Sequence, residues 1–209
     1  MRTIPLLKMA LAGAVALLAA CKDSTGNDVG PGSLSFTYAG DRAGTYTASG
    51  QYRPTGSSFQ KQPFAVGVRA QQSGQNVLAL LSYQPTTAAT GNMVLFGLPS
   101  VTGTGSYPLA DNSCSTDTCP LALLLFDTNP DLEEDNSQVF TFTSGTLNVT
   151  SSTDGRMTGT FSGTAETFFG DSVITVTGGT FDIPVRSGSF ISNRTMSKRM
   201  QGRHAKPEE

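Results

Sequence analysis

Ile174-Thr175-Val176-Thr177-Gly178-Gly179-Thr180-Phe181-Asp182 alternates apolar and hydroxyl-bearing side chains on either side of a glycine pair. A period of two is the mark of a half-buried strand, because successive side chains leave opposite faces of the pleat. Upstream, Met157-Thr158-Gly159-Thr160-Phe161 and Ser144-Gly145-Thr146-Leu147-Asn148-Val149-Thr150 repeat the pattern. Much earlier, Leu34, Phe36 and Tyr38 alternate with Ser35 and Thr37, and Tyr46, Ala48 and Tyr52 alternate with Thr47 and Ser49.

Further strands are expected near 64–70, 77–83, 93–98, 121–126, 139–143, 146–151, 157–167, 173–177 and 180–185. Ser73-Gly74, Thr90-Gly91, Asp154-Gly155, Gly170-Asp171 and Gly178-Gly179 punctuate them as turns. Short strands without intervening helical segments predict an all-β domain, a single antiparallel β-sandwich or β-barrel of about ten strands. The crossovers that a parallel βαβ sheet needs are missing. Composition agrees: the 209 residues include 27 Thr, 22 Ser and 23 Gly with only 14% charged residues, which is poor material for helices. The 12 Phe and 5 Tyr supply one core, and the length fits one domain. A net charge of −2 argues against a general nucleic-acid binder.

Two expected strands break the half-buried pattern. Val77-Leu78-Ala79-Leu80-Leu81 and Leu121-Ala122-Leu123-Leu124-Leu125-Phe126 are apolar on both faces, so something must cover the second face of each. Central strands flanked by a loop or by the C-terminal tail satisfy that demand. A ligand pocket, a partner surface, or a buried helix after Pro120 are the alternatives.

The N-terminus carries an address. Arg2 and Lys8 precede an apolar run from Met9 to Ala20, the layout of a secretory signal. The run is short against a hydrocarbon core of ~30 Å, so a permanent transmembrane helix is the weaker reading. Leu18-Ala19-Ala20-Cys21 resembles the lipobox of bacterial lipoproteins, and residues 144–185 resemble the closing meander of small β-rich bacterial lipoproteins. The first resemblance implies removal of residues 1–20 and attachment of a diacylglycerol, with palmitate-type acyl chains, to Cys21. Several acyl chains at roughly 0.8 kcal/mol per buried CH₂ make a lasting membrane anchor. Lys22 stands where an inner-membrane retention signal would have Asp, which by analogy favours the outer membrane. Residues 21–33 then form a flexible tether, 34–185 the β domain, and 186–209 a basic tail expected to be disordered.

With Cys21 lipidated, Cys114 and Cys119 remain as an even pair in an oxidising compartment, and a disulfide between them is expected. A metal site is disfavoured, since the sole His, His204, lies in the distant tail. Charge is segregated. Between Arg69 and Arg156 there is no base and the net charge is −8, whereas the chain from Arg186 onward carries +4. Asp127, Asn129 and Asp131 place oxygen ligands at alternate positions, a calcium candidate. Leu132 and Gln138 replace the Gly and bidentate Glu of a helix-loop-helix calcium loop, so a solvated acidic loop is preferred and no cofactor beyond the lipid is expected. Met196 and Met200 add a weak amphipathic signal to the tail, which could lie on an anionic membrane or fold back onto the acidic loop.

No G-x-S-x-G, HExxH, P-loop or dinucleotide fingerprint occurs. A pair of carboxylates, for example Glu166 with Asp171 or Asp182, could in principle hydrolyse glycosides, but the sequence gives no spacing in space, and surface carboxylates in hairpins explain them better. The expectation is therefore a non-enzyme: a lipid-anchored envelope protein that binds or helps assemble an envelope protein, glycan or apolar ligand. A β-barrel carrier of an apolar small molecule is the alternative, and a two-carboxylate hydrolase the second.

Overall fold

In the computed structural model the described residues are 30–53, 61–72, 75–111, 119–128, 138–153, 155–167 and 170–187. Ten strands form one continuous sheet, and the described residues contain no helix. They are β1 (Gly32–Gly40), β2 (Gly44–Gly50), β3 (Phe64–Gln72), β4 (Gln75–Pro85), β5 (Gly91–Pro99), β6 (Gly105–Pro108), β7 (Leu121–Thr128), β8 (Gln138–Thr153), β9 (Arg156–Thr167) and β10 (Val173–Ser187). The all-β expectation, with about ten strands, is met.

Seven strands close on themselves in the order β3-β4-β5-β7-β8-β9-β10 and back to β3. Strands that alternate in direction cannot close a ring with an odd number of members, so one pair has to be parallel. That pair is β10 with β3, where Val185, Arg186 and Ser187 lie opposite Gly67, Val68 and Arg69. The wholly antiparallel expectation is corrected at this one seam. The β1–β2 hairpin is added to β10, and β6 is added to β8.

The two long strands decide how barrel and sandwich combine. One edge of β10 is shared, first by β1 opposite residues 174–182 and then by β3 opposite 185–187. One edge of β8 is likewise shared, by β7 opposite 138–141 and by β6 opposite 146–149. A six-stranded sheet, β2-β1-β10-β9-β8-β6, therefore faces a four-stranded sheet, β3-β4-β5-β7, and the two meet at both corners. Strands that switch sheets through bends are how such corners are made.

Those bends correct one turn assignment, Gly178-Gly179, and join two pairs of segments that were expected as separate strands. Segments 139–143 and 146–151 are one strand, because Gly145, at φ 139°, and a register shift between Phe142 and Ser144 bend β8 without ending it. Segments 173–177 and 180–185 are also one strand, with Gly178 at φ 60° in a bulge between Val176 and Gly179. The segment after Pro120 is strand β7 rather than a buried helix. Strand β6 was not foreseen, since four residues ending in Pro108 carry too little alternation to be recognised.

Inward-facing side chains of both sheets make the main core, which includes Leu34, Phe36, Leu80, Phe96, Leu124, Phe142, Phe161 and Ile183. A second cluster lies on the outer face of the four-stranded sheet. It alternates with the first along every strand: Phe64 and Val66 flank inward Ala65, Leu95 separates Val94 from Phe96, and Leu123 and Leu125 flank Leu124. The two-faced apolar strands of the sequence are thus the strands between two cores.

Candidate functional site

The barrel interior is occupied by aromatic rings in contact. Tyr46 stacks on Phe36 at 4.9 Å between centroids, Phe36 meets Phe161 at 5.6 Å, Phe161 meets Phe96 at 5.3 Å, and Phe96 meets Phe142 at 5.7 Å. A second arm runs from Phe36 to Tyr38 at 5.9 Å, Tyr38 to Phe126 at 4.9 Å, and Phe126 to Phe140 at 5.7 Å. Tilted and edge-on contacts at these separations are favourable. One polar chain is embedded among them. The Tyr46 hydroxyl donates to Ser82 Oγ at 2.9 Å, and Ser82 Oγ donates to the Phe64 carbonyl at 3.0 Å. Both side chains are fully buried, and burial pushes the Tyr46 phenol far above its ordinary range even though the bond to Ser82 works the other way.

At one end of the barrel the tip of the β1–β2 hairpin is tied to strands from both sheets. The Asp41 carboxylate accepts from the Val173 amide at 2.7 Å, and the Asp41 amide donates to the Val173 carbonyl at 3.0 Å. Next to it, Arg42 donates from Nη2 to Asp127 at 2.8 Å and from Nη1 to Gln138 at 3.5 Å. Its guanidinium carbon also sits 4.5 Å from the centre of the Phe126 ring. Burial opposes the charge on Arg42, but the hydrogen bonds it donates to Asp127 and Tyr38 outweigh it and raise its pKa. Asp127 is presented by a left-handed backbone, φ 57°, whose amide donates to Asn92 at 3.1 Å. A non-glycine residue adopts this conformation only when its surroundings hold it there.

This geometry bears on the calcium candidates. Asp127 spends a carboxylate oxygen on Arg42, while Asn129 and Asp131 lie outside the described residues. No group of three or more His, Cys, Asp or Glu able to hold a metal occurs among the described residues. Cys21 and Cys114 also lie outside them, whereas Cys119 is half-buried just before Pro120 and β7.

The carboxylates proposed for hydrolysis are not brought together as Glu166 and Asp182. Glu166 of β9 lies opposite Val173, and Asp182 is nine residues further along β10. At about 3.3 Å per residue that distance far exceeds the separation of roughly 5–9.5 Å that glycosidases use. Asp182 is instead bound to Arg156, at 2.6 Å. Glu166 accepts from Thr143 at 3.4 Å, and Asp171 is exposed in the β9–β10 turn.

What sequence reasoning missed is the outer face of the six-stranded sheet. Register brings Thr47, Ser35, Thr180, Thr160, Asn148 and Ser106 into one row that crosses all six strands. Five of them are exposed and Ser35 is half-buried. Each offers both donor and acceptor capacity without charge. Neighbours in the array bond each other, Ser35 to Thr180 at 3.0 Å and Thr150 to Thr158 at 3.3 Å. The alternating Thr and Ser were visible in each strand, but only the register shows that they align.

Comparison of this chain with models of known protein families, with curated proteins and with solved structures gives no match.

Proposed function

We propose that this protein is a lipid-anchored, non-enzymatic binding module of the bacterial cell envelope, held through Cys21 and engaging an envelope partner with the hydroxyl face of its six-stranded sheet. The observation that carries the reading is the contrast between a barrel interior filled by rings in contact and an uncharged row of hydrogen-bonding groups across six strands. Depletion of charge marks the centre of interaction surfaces, whereas most exposed sheet faces keep Lys and Glu for solubility. The two charged groups nearest this row, Arg156 and Asp182, bind each other. A neutral partner rich in hydroxyl or amide groups, such as an envelope glycan, matches it. Lys22 supports placement at the outer membrane.

The carrier alternative comes second because the aromatic chain occupies the space where an apolar cargo would lie. The hydrolase alternative retains only Glu166 and Asp171, on an exposed hairpin end.

Two experiments test the proposal. Exchange of Cys21 for Ala should move the protein from the membrane to the soluble fraction with its β-sheet circular dichroism unchanged, and persistence on the membrane after a high-salt wash would refute the anchor. Sedimentation with purified, insoluble envelope polysaccharide should pull down the unsubstituted protein. The Thr160→Glu/Thr180→Glu variant should lose at least about tenfold of that binding, since a buried unpaired charge at an interface is costly. Equal binding by the variant would remove the hydroxyl face from the proposal.

A further inference from the structure

Ten of the twelve charged side chains among the described residues lie at the two ends of the barrel, sorted by sign. At the end that holds the hairpin tip, Asp41, Asp127, Glu166 and Asp171 outnumber Arg42, for a formal charge of −3. At the opposite end, Arg53, Arg69, Arg156 and Arg186 outnumber Asp182, for a formal charge of +3, which stays positive when Asp154, bonded to Gly155, is included. Strand register groups these arginines: Arg69 lies opposite Ser187, Arg186 opposite Val68, and Arg156 opposite Pro184. Arg186 Nη2 donates at 3.4 Å to the carbonyl of Tyr52, the neighbour of Arg53, and Arg69 Nη2 donates to Ser152 Oγ at 3.1 Å. These acceptors are neutral, so they fix two guanidinium groups without cancelling their charge.

The chain enters the domain at this same end. Gly32 opens β1 opposite Gly50, and Arg156 donates from Nη2 to the Pro31 carbonyl at 3.2 Å. Nine residue steps separate Gly30 from Cys21, a reach of about 30 Å when fully extended. The 15 residues of β10 join the two ends. The carboxylate end can therefore meet a membrane that holds Cys21 only if the tether is drawn out along the length of the barrel.

We propose, resting on the Cys21 anchor, that the arginine end of the barrel sits on the anionic phospholipid headgroups of the membrane that holds that anchor, with the carboxylate end turned away. Basic groups near such a surface are attracted within a screening length, and carboxylates are repelled. A molecule with opposite charges at its two ends is turned by that field. Attachment point and charge select the same orientation. Because the long strands β8, β9 and β10 run from one end to the other, the hydroxyl face of the six-stranded sheet then stands at the side of the barrel, clear of the bilayer.

The test uses the full chain, purified from cells in detergent and reconstituted in vesicles of phosphatidylcholine and phosphatidylglycerol in equal parts, with an acceptor dye on the lipid headgroups. A fluorescent side chain is placed at Thr153, opposite Arg156, or separately at Ala88, in the β4–β5 turn at the other end; both positions are exposed. Energy transfer from Thr153 should exceed that from Ala88 severalfold at low salt. The excess should shrink at least about twofold in pure phosphatidylcholine, and likewise at about 1 M salt, where the screening length is about 3 Å. Arg53→Glu/Ser187→Glu, at two exposed positions, should cause the same shrinkage in the anionic vesicles with circular dichroism unchanged. Equal transfer from the two ends, or greater transfer from Ala88, overturns the proposal. An excess indifferent to vesicle charge, salt and the double substitution assigns the arginines to another anionic partner and overturns it as well. The mass of the N-terminal peptide separates the two readings: a chain without acyl groups on Cys21 refutes the anchor and the orientation together, whereas an acylated chain with equal transfer refutes the orientation alone.

Discussion

Phe161 of β9 lies opposite Gly179 of β10, and Phe181 of β10 lies opposite Gly159 of β9, so that two Gly-Thr-Phe triplets pair head to tail. Each ring covers the glycine across from it: a Cβ on Gly179 would stand 2.7 Å from Phe161 Cδ1, and one on Gly159 would stand 2.5 Å from Phe181 Cζ. Thr160 and Thr180 face each other on the outer surface between them.

Gly159→Ala or Gly179→Ala should therefore destabilise the fold by about 2 kcal/mol or more, because the added carbon meets backbone oxygen as well as the ring. Thr160→Ala, on the opposite side of the same strand, should stay within about 0.5 kcal/mol. Urea unfolding followed by circular dichroism measures both. An equal loss from the two kinds of substitution would show that the ring-over-glycine packing contributes nothing particular.

The buried Tyr46–Ser82 chain predicts the alkaline limit of stability. Burial raises the Tyr46 phenol above its ordinary range, so below about pH 10 it is protonated in both the folded and unfolded states and exerts no pH dependence. Above it the unfolded chain loses the proton first, and stability falls as pH rises. Tyr46→Phe should cost about 1 kcal/mol near neutrality through the lost hydrogen bond, and should make the decline above pH ~10 shallower than in the parent protein. Phenolate absorbance of Tyr46 that appears before the unfolding transition would contradict this assignment.

At the barrel end, the Arg42 side chain is 30% exposed and that of Asp127 is 54% exposed, so solvent screens their 2.8 Å pair. Arg42→Ala should cost about 1 kcal/mol in total, part from the pair and part from stacking on Phe126. Arg42→Lys should recover less than half of that, since an ammonium lacks the planar face that lies on the ring. Because Asp127 is engaged in this way, calcium or a chelator should leave the melting midpoint unchanged. A rise with calcium that Asp127→Asn abolishes would instead restore the metal site.

The expected Cys114–Cys119 disulfide should appear as a linked peptide in a non-reducing digest of the protein from an oxidising compartment. The ring is small, so reduction should cost only roughly 2 kcal/mol and leave the strands formed. Free thiols at both positions in oxidised material would reject the bond.

The strands themselves were legible because alternation is local: Leu34 to Tyr38, Met157 to Phe161 and Ile174 to Asp182 each state their period within a few residues. Gly178-Gly179 was misread as a turn, and 139–143 was read as separate from 146–151 across Gly145, since a glycine with positive φ serves a hairpin and a mid-strand bend equally well and only the neighbouring strand distinguishes them. The demand for a cover over the leucine strands was also legible, but its geometry was not.

By itself, then, the sequence determined the class of fold, the strands with two apolar faces and the segregation of charge, all of which follow from side-chain type and spacing along one strand. Only the tertiary structure decided which strands are neighbours and in what register. That choice made the seventh seam parallel, separated Glu166 from Asp182, joined Arg42 to Asp127, and aligned Thr47, Ser35, Thr180, Thr160, Asn148 and Ser106. Register depends on contacts between residues far apart in the chain, and local periodicity carries no information about it.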